Sequence, residues 1–278
     1  MKLRTLVYPL IALLMVVGCK KEAAIIPDTI TPEYSLPQGN HPYDTQIVDF
    51  YHTYGCYMLY KFTEKDFNWN ISNKLSYVAD QGDENYIAPA LVALDKYLFK
   101  YYSSDFLKKA LPYKIILSSR IREVTNDNDT LATPVNSVST FSHFAFGRAG
   151  SSLTGMAEDE LKVMKVDLHR EFWMQAVSFG KIPLPPTFVR ATNYDDVYSW
   201  TAKANGVFYP TVDGVAADVY TDFEGYINVI ASKTVEELEQ SLFKPANDPN
   251  GKYKLKYNMI ISYYKTVFGV DLQGIARL

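Results

Sequence analysis

The sequence predicts an α+β fold, in which strand segments precede most of the helices. Three short runs, rich in β-branched and aromatic residues, have the length of buried strands: Tyr57–Phe62, Leu111–Leu117 and Val138–Gly147. Ala157–Phe179 has apolar residues at helical spacing, and further helical segments follow it to the C-terminus. Strands followed by helices, without regular β-α alternation, are typical of a sheet covered by segregated helices.

The first half of the chain also contains two expected helices. Thr45–Tyr54 reads as a short helix, and Asn85–Tyr102 as an amphipathic one. The apolar face of the second consists of Leu91, Leu94, Leu98 and Tyr101. A short strand is expected around Ser151–Gly155, and the polar run Thr125–Thr133 reads as a loop.

Ala157–Phe179 is the best-defined helix in the sequence. Glu158 and Asp159 lie in its first turn, where negative charge favours the helix dipole, and Gly180 followed by prolines ends it. Its apolar stripe is Leu161, Met164, Leu168, Phe172 and Ala176. The remaining expected helices are Ala217–Ile230, Val235–Phe243 and Tyr253–Phe268.

The N-terminus has the form of a bacterial lipoprotein signal. Lys2 and Arg4 precede an apolar segment, Leu6–Val17, that is shorter than the roughly 20 residues of a membrane span. The sequence Val16-Val17-Gly18-Cys19 matches a lipobox, in which the cysteine is lipidated and becomes the first mature residue. We therefore predict a signal peptide at 1–18, a flexible proline-containing tether at 19–42 and a folded domain at 43–278.

The net charge and the cysteine count exclude one class of partner and one kind of crosslink. The formal net charge is −3, and removal of Lys2 and Arg4 with the signal gives −3 − 2 = −5. This balance argues against nucleic acid as a partner, because phosphate binding needs a basic face. The chain has two cysteines, so once Cys19 is lipidated only Cys56 remains and no intrachain disulfide can form.

Several motifs, in order, carry a family resemblance. The segment His169-Arg170-Glu171-Phe172 resembles the start of a metal-binding helix. The segments that follow it are Pro185–Phe188, Gly206–Pro210, Thr221–Glu224 and Tyr263–Leu272. From about Tyr43 onward the chain resembles the substrate-import-associated zinc metallohydrolase lipoproteins of Bacteroidetes, also described as zinc-binding metallopeptidases. The resemblance implies a zincin-like fold, with a mixed sheet packed on the active-site helix and a helical C-terminal part.

The chain departs from the family at the metal ligands. In an active zincin, H-E-x-x-H places two zinc-binding histidines on one helical face and a general base between them. Aligned on Glu171, the two ligand positions hold Arg170 and Met174. A guanidinium has no lone pair to donate, and a thioether is a poor ligand for catalytic zinc. We therefore expect no metal and regard Glu171 as a vestigial general base.

We hypothesise that Arg170 replaces the metal electrostatically. His169, Asp222 and Glu224 are the expected neighbours in a residual pocket, with Arg170 contacting Asp222 or Glu224. The alternative is that this is an ordinary core helix, with Arg170 and Glu171 solvated or ion-paired.

The resemblance implies an outer-membrane location and a role in nutrient uptake. Partners would be the membrane, a TonB-dependent transporter and a substrate-capturing lipoprotein. The favoured function is a catalytically inactive accessory or binding component. The alternatives are an active zinc hydrolase with an atypical site and a purely structural subunit of the uptake complex.

Overall fold

The compact part of the protein begins earlier than the predicted domain boundary. The structure, a computed structural model, describes residues 33–68, 77–123, 134–212 and 214–277. One compact unit extends from Leu36 to Leu278. Leu36 packs on the core, and the side chain of Gln38 bonds Lys61 O at 2.6 Å and Tyr60 N at 2.8 Å. The predicted signal, Cys19 and the loop at 125–133 lie outside the described residues.

A mixed sheet forms around one long strand. The strands are β1 (Tyr57–Leu59), β2 (Tyr77–Gln81), β3 (Lys114–Glu123), β4 (Pro134–Val135), β5 (Ser137–Ser139) and β6 (His143–Phe146). Along the main path their order is β1-β3-β6-β5, with β1 and β6 parallel to β3 and β5 antiparallel to β6. The second half of β3 pairs antiparallel with β2 and β4. The predicted α+β fold with a mixed sheet is therefore confirmed.

Two sequence-based strand predictions need correction. Val138–Gly147 is a hairpin of β5 and β6, because Thr140 N donates to His143 O at 2.9 Å and turns the chain between them. The expected strand around Ser151–Gly155 is a single 3₁₀ turn, Ser151–Leu153. Strand β2 was not predicted, because its short sequence has no long apolar run. None of its side chains is fully buried.

Helices make up most of the remaining described structure. They are α1 (Pro42–Tyr54), α2 (Glu64–Asn68), α3 (Ile87–Tyr97), α4 (Ser104–Ala110), α5 (Glu158–Ser178), α6 (Pro186–Val189), α7 (Ala202–Asn205), α8 (Val219–Ser232), α9 (Val235–Glu239) and α10 (Lys252–Phe268). The short helices α2 and α4 were not anticipated. Among the described helices, none is both long and apolar enough to cross a membrane.

Helix α5 is the central element of the fold. One side contacts β5 and β6, and another packs along α8. Met164, Leu168, Phe172 and Ala176 are fully buried, as the apolar stripe predicts. The helix ends where Gly180 adopts a left-handed φ of 71°, a conformation that favours glycine. Polar residues on the part of α5 between the sheet and α8 are therefore held by well-packed neighbours on both sides.

Candidate functional site

Arg170 on α5 lies among three carboxylates. Its Nη1 is 3.4 Å from Asp167 Oδ1, its Nη2 is 3.5 Å from Glu171 Oε1, and its Nε is 3.5 Å from Glu224 Oε1 on α8. All four side chains are partly exposed, so the group borders solvent. We call Asp167, Arg170, Glu171 and Glu224 the arginine cluster. Of the two carboxylates expected to meet Arg170, the structure places Glu224 there.

Side chains around strands β4 to β6 fix the carboxylates of this cluster. Ser139 Oγ donates to Glu171 Oε2 at 2.9 Å, and Asn136 Nδ2 donates to Asp167 Oδ2 at 2.8 Å. Arg148 Nε in turn donates to Asn136 Oδ1 at 2.7 Å. The sheet edge therefore orients two of the three acidic groups by hydrogen bonds, whereas Arg170 meets them only at ion-pair distance.

The balance of charge in the cluster is negative. One guanidinium faces three carboxyl groups, which gives 1 − 3 = −2 when all are ionised. Burial raises the pKa of Glu171 and Glu224 adds to this, while the Ser139 hydrogen bond and Arg170 act in the opposite direction. A raised pKa makes a carboxylate a stronger proton acceptor, and burial alone produces a shift in this direction.

A cavity of about 590 Å³ opens beside the cluster at Asp167. Its lining includes Asn136, Arg148 and the carboxylates of Glu160 and Asp167, together with the apolar Met156. Among the residues that the structure describes, no aromatic side chain lines this cavity. Pro134, Val135 and Val163 also line it, so a ligand there would meet an apolar surface bordered by carboxylate, amide and guanidinium groups.

His169 does not belong to the pocket in which sequence reasoning placed it. It is fully buried on the core side of α5, where Tyr102 Oη lies 2.7 Å from its Nδ1. Trp173 Nε1 donates to the same hydroxyl at 2.8 Å, so one buried hydroxyl links the Trp173 indole to the His169 imidazole. Burial lowers the pKa of His169 to about 3. One residue along a helix turns a side chain by about 100°, which separates His169 from Arg170.

Asp222 also lies outside the cluster, in a buried ion pair. Its carboxylate and the ammonium of Lys256 on α10 are both completely buried and in contact. Lys256 Nζ also donates to Thr192 Oγ1 and Gly206 O, both at 3.1 Å, which satisfies all three of its donors. Asp222 and Glu224 are two positions apart, about 200° around the helix axis, so they point to nearly opposite sides of α8.

Further hydrogen bonds complete the environment of Asp222. Phe208 N donates to Oδ1 at 3.0 Å, and Tyr194 Oη donates to Oδ2 at 2.8 Å. Burial raises the pKa of Asp222 and lowers the pKa of Lys256, while each group opposes the shift of the other. The rings of Phe188 and Tyr226 lie within 5.4 Å of the ammonium. This is a fully bonded structural ion pair and has no side open to a ligand.

The donor set at the expected ligand positions does not fit zinc. Arg170 holds the first position with a guanidinium, and Met174 at the second packs against the hydrophobic core. Within the described ranges, no three His, Cys, Asp or Glu residues are grouped so that they could hold a metal ion. The geometry thus suits a partly exposed intramolecular ion-pair cluster, in which Glu171 also accepts a hydrogen bond from Ser139.

The sequence motifs missed several residues of the site, and of these Asp167 alone had a local signal in the sequence. Asp167 lies one helical turn before Arg170, so its i,i+3 spacing is a readable signal. Ser139 and Asn136 reach α5 only through sheet pairing. Lys256 is thirty-four residues from Asp222 in sequence and gives no local indication of their contact.

Comparison with known proteins shows a similarity of fold to a solved structure. No protein-family model matches the chain, and no curated protein matches it. A solved structure that resembles it is a candidate zinc-binding metallopeptidase from Bacteroides caccae, with a TM-score of 0.50 and 13% identity. The similarity covers 84% of this chain and 88% of that one. At this identity the comparison establishes a metallopeptidase-like fold.

The Trp173–Tyr102–His169 chain predicts a specific loss of stability. Tyr102→Phe removes the hydroxyl that accepts from Trp173 and is hydrogen-bonded to His169 Nδ1, and leaves both partners unsatisfied in the core. We expect the free energy of unfolding to fall by about 2 kcal/mol, measured by urea denaturation. Tyr101→Phe is the matched control, because the buried Tyr101 hydroxyl has no hydrogen-bond partner among the described residues. Equal losses in the two variants would contradict the assignment.

The buried ion pair gives a second prediction. Lys256→Met leaves the Asp222 carboxylate buried without its countercharge and should cost about 3–5 kcal/mol of unfolding free energy. Adding Asp222→Asn should recover part of that loss, since the uncompensated charge is removed. Lys254→Met on the same helix is the control, because its pair with Glu239 is about half exposed and should contribute at most about 1 kcal/mol. Strictly additive effects of the two buried substitutions would show that the groups are not coupled.

Proposed function

We propose that this protein is a catalytically inactive, metallohydrolase-like lipoprotein of the outer membrane. In this proposal it is an accessory or binding component of a TonB-dependent nutrient-uptake system, anchored through lipid on Cys19. The lipobox, the order of the family motifs and the metallopeptidase-like fold support it. We infer the loss of catalysis from Arg170, which occupies the first metal-ligand position. Its Nε lies 3.5 Å from Glu224 Oε1.

Charge complementarity supports the role of Arg170 as a substitute for the metal. Removal of a divalent cation from a site with three carboxylates would leave them repelling one another. A guanidinium restores positive charge at that point and can contact several carboxylates at once. Asp167, Glu171 and Glu224 all lie within 3.5 Å of Arg170, which is the arrangement this substitution requires.

The retained Glu171 supports one alternative function. An atypical hydrolase could use its carboxyl group as a general base, and the Ser139 hydroxyl lies 2.9 Å away. Such an enzyme would hydrolyse peptides, and Glu171→Gln would abolish the activity. If the proposal is correct, wild type and Glu171→Gln are equally inactive on a peptide library.

The ligand-position assignment can be tested by rebuilding the site. We expect purified wild-type protein to hold no stoichiometric zinc. The double variant Arg170→His/Met174→His restores two imidazoles at i and i+4 beside Glu224, and we expect it to bind roughly one zinc per chain. Bound metal is measured by inductively coupled plasma mass spectrometry after dialysis against buffered zinc.

The control places the same histidine pair elsewhere on α5. Asp159→His/Val163→His has identical spacing on an exposed part of the helix, away from Glu224, and should bind zinc much more weakly. One zinc per wild-type chain would overturn the proposed inactivity. A folded Arg170→His/Met174→His variant that binds no more zinc than the control would show that these are not former ligand positions.

A further inference from the structure

The segment around Trp200 exposes several large apolar side chains. Trp200 is 78% exposed and Val215 is 72% exposed, values that are unusual for such residues in a folded protein. Together with the exposed Tyr198, Tyr209 and Val212, they lie within eighteen consecutive residues. We call these five side chains the aromatic patch. Groups of exposed apolar residues of this kind mark surfaces that contact something else.

Backbone bridges bring the members of the patch together. The rings of Tyr198 and Trp200 stack, with centroids 4.8 Å apart and planes inclined by 4°. Tyr198 forms a bridge with Thr211, and Val212 forms one with Val215. The stacked rings of Tyr198 and Trp200 therefore lie beside the backbone stretch that carries Val212 and Val215.

The patch is also rigidly mounted on the domain. Val197, Val207 and Ala217 form a small buried cluster within the same segment. Thr201 Oγ1 accepts from Tyr198 N at 2.9 Å, which holds the turn between the two stacked rings. Tyr194 joins the segment to the core through its bond with Asp222. A fixed surface loses little conformational freedom on binding, so even a small contact area is effective.

The composition of the patch fits the interface of a lipid bilayer. Between Val197 and Ala217 the sequence has only two charged residues, Lys203 and Asp213, so this stretch has no net charge. Tryptophan and tyrosine concentrate at membrane surfaces, because their rings enter the acyl boundary while N–H and O–H groups stay among the headgroups. A neutral patch of Trp, Tyr and Val therefore matches a neutral lipid surface better than a charged macromolecule.

The predicted anchor would bring this surface to the membrane. From Cys19 to Leu36 there are 36 − 19 = 17 residues, which can span at most about 60 Å. A compact unit of 243 residues, 278 − 35, has a diameter of about 45 Å from its expected radius of gyration. Any face of the domain could then reach the bilayer, and a contact too weak to act alone is strengthened by the high effective concentration of a tethered group.

We propose that the aromatic patch is a second membrane contact, in which Trp200 and Tyr198 insert into the interface of the bilayer that holds the lipid anchor. The inference rests on the lipid anchoring in the proposed function. Two points of attachment would fix one face of the domain toward the membrane, whereas a lipid alone leaves it free to rotate.

The test uses the mature chain from residue 19 with Cys19→Ser, so that lipidation plays no part. Binding to sucrose-loaded phosphatidylcholine–phosphatidylethanolamine vesicles is measured by co-sedimentation at low and high salt. We expect weak, salt-independent binding that Trp200→Ala lowers roughly tenfold and Val215→Glu also lowers. Phe141→Ala is the control, because Phe141 is similarly exposed but lies outside the patch.

Fluorescence supplies a second measurement. Addition of vesicles should shift the emission of Trp200 to shorter wavelength, a change obtained by subtracting the spectrum of Trp200→Phe. Absence of vesicle binding, or equal losses in Trp200→Ala and Phe141→Ala, overturns the proposal. A Trp200 response to soluble oligosaccharides without a response to vesicles overturns it in favour of a sugar-binding platform.

Lipid anchoring itself is tested separately, by the mass of the N-terminal residue of the protein isolated from its cells. An unmodified Cys19 would refute the anchoring while leaving the vesicle result intact. Conversely, a lipidated Cys19 with no vesicle binding by the Cys19→Ser chain would refute only the patch.

Discussion

The buried pair of Lys256 and Asp222 is the interaction on which the C-terminal half of the fold depends. It joins α10 to α8, and its remaining hydrogen bonds attach the segment from Thr192 to Phe208 to both helices. Charged groups can be buried to this extent only when each has a full set of partners. Partners come from the backbone of Gly206 and Phe208 and from the hydroxyls of Thr192 and Tyr194. The ion pair therefore helps to fix the conformation of a long irregular segment, together with the Tyr226 and Tyr253 hydroxyls, which donate to Gly206 O and Val207 O.

This pair also separates two carboxylates that are near neighbours in sequence. Asp222 faces the interior of the helical half, whereas Glu224 turns toward α5 and Arg170. Gly225 follows directly, and a Cβ atom there would lie 2.5 Å from Phe208 Cβ. The absence of a side chain at this position thus lets the Phe208 segment lie against α8, with its amide directed to Asp222. The two charge networks share one helix but use opposite faces of it.

Sequence reasoning succeeded where a pattern extends over many residues. The apolar stripe of α5 and the glycine at its end were readable, because helical periodicity and helix termination are local properties. It failed for the β5–β6 hairpin, since a short antiparallel strand beside a fully buried parallel one reads as a single apolar run. His169 and Asp222 were assigned to the wrong surroundings because motif spacing does not say which side of a helix faces the core. Ser139 and Lys256 become neighbours of the site only through tertiary packing, which no local pattern encodes.

Because Arg170 is part of the chain, the arginine cluster has a positive charge that does not depend on a bound metal ion. A metal ion must be acquired from the surroundings, competes with protons for its ligands and can be withdrawn by chelators. A guanidinium is part of the polypeptide and stays protonated across the physiological range. The positive charge between Asp167, Glu171 and Glu224 is therefore present from the moment the chain folds. This charge does not depend on the concentration of metal ions in the compartment where the protein works.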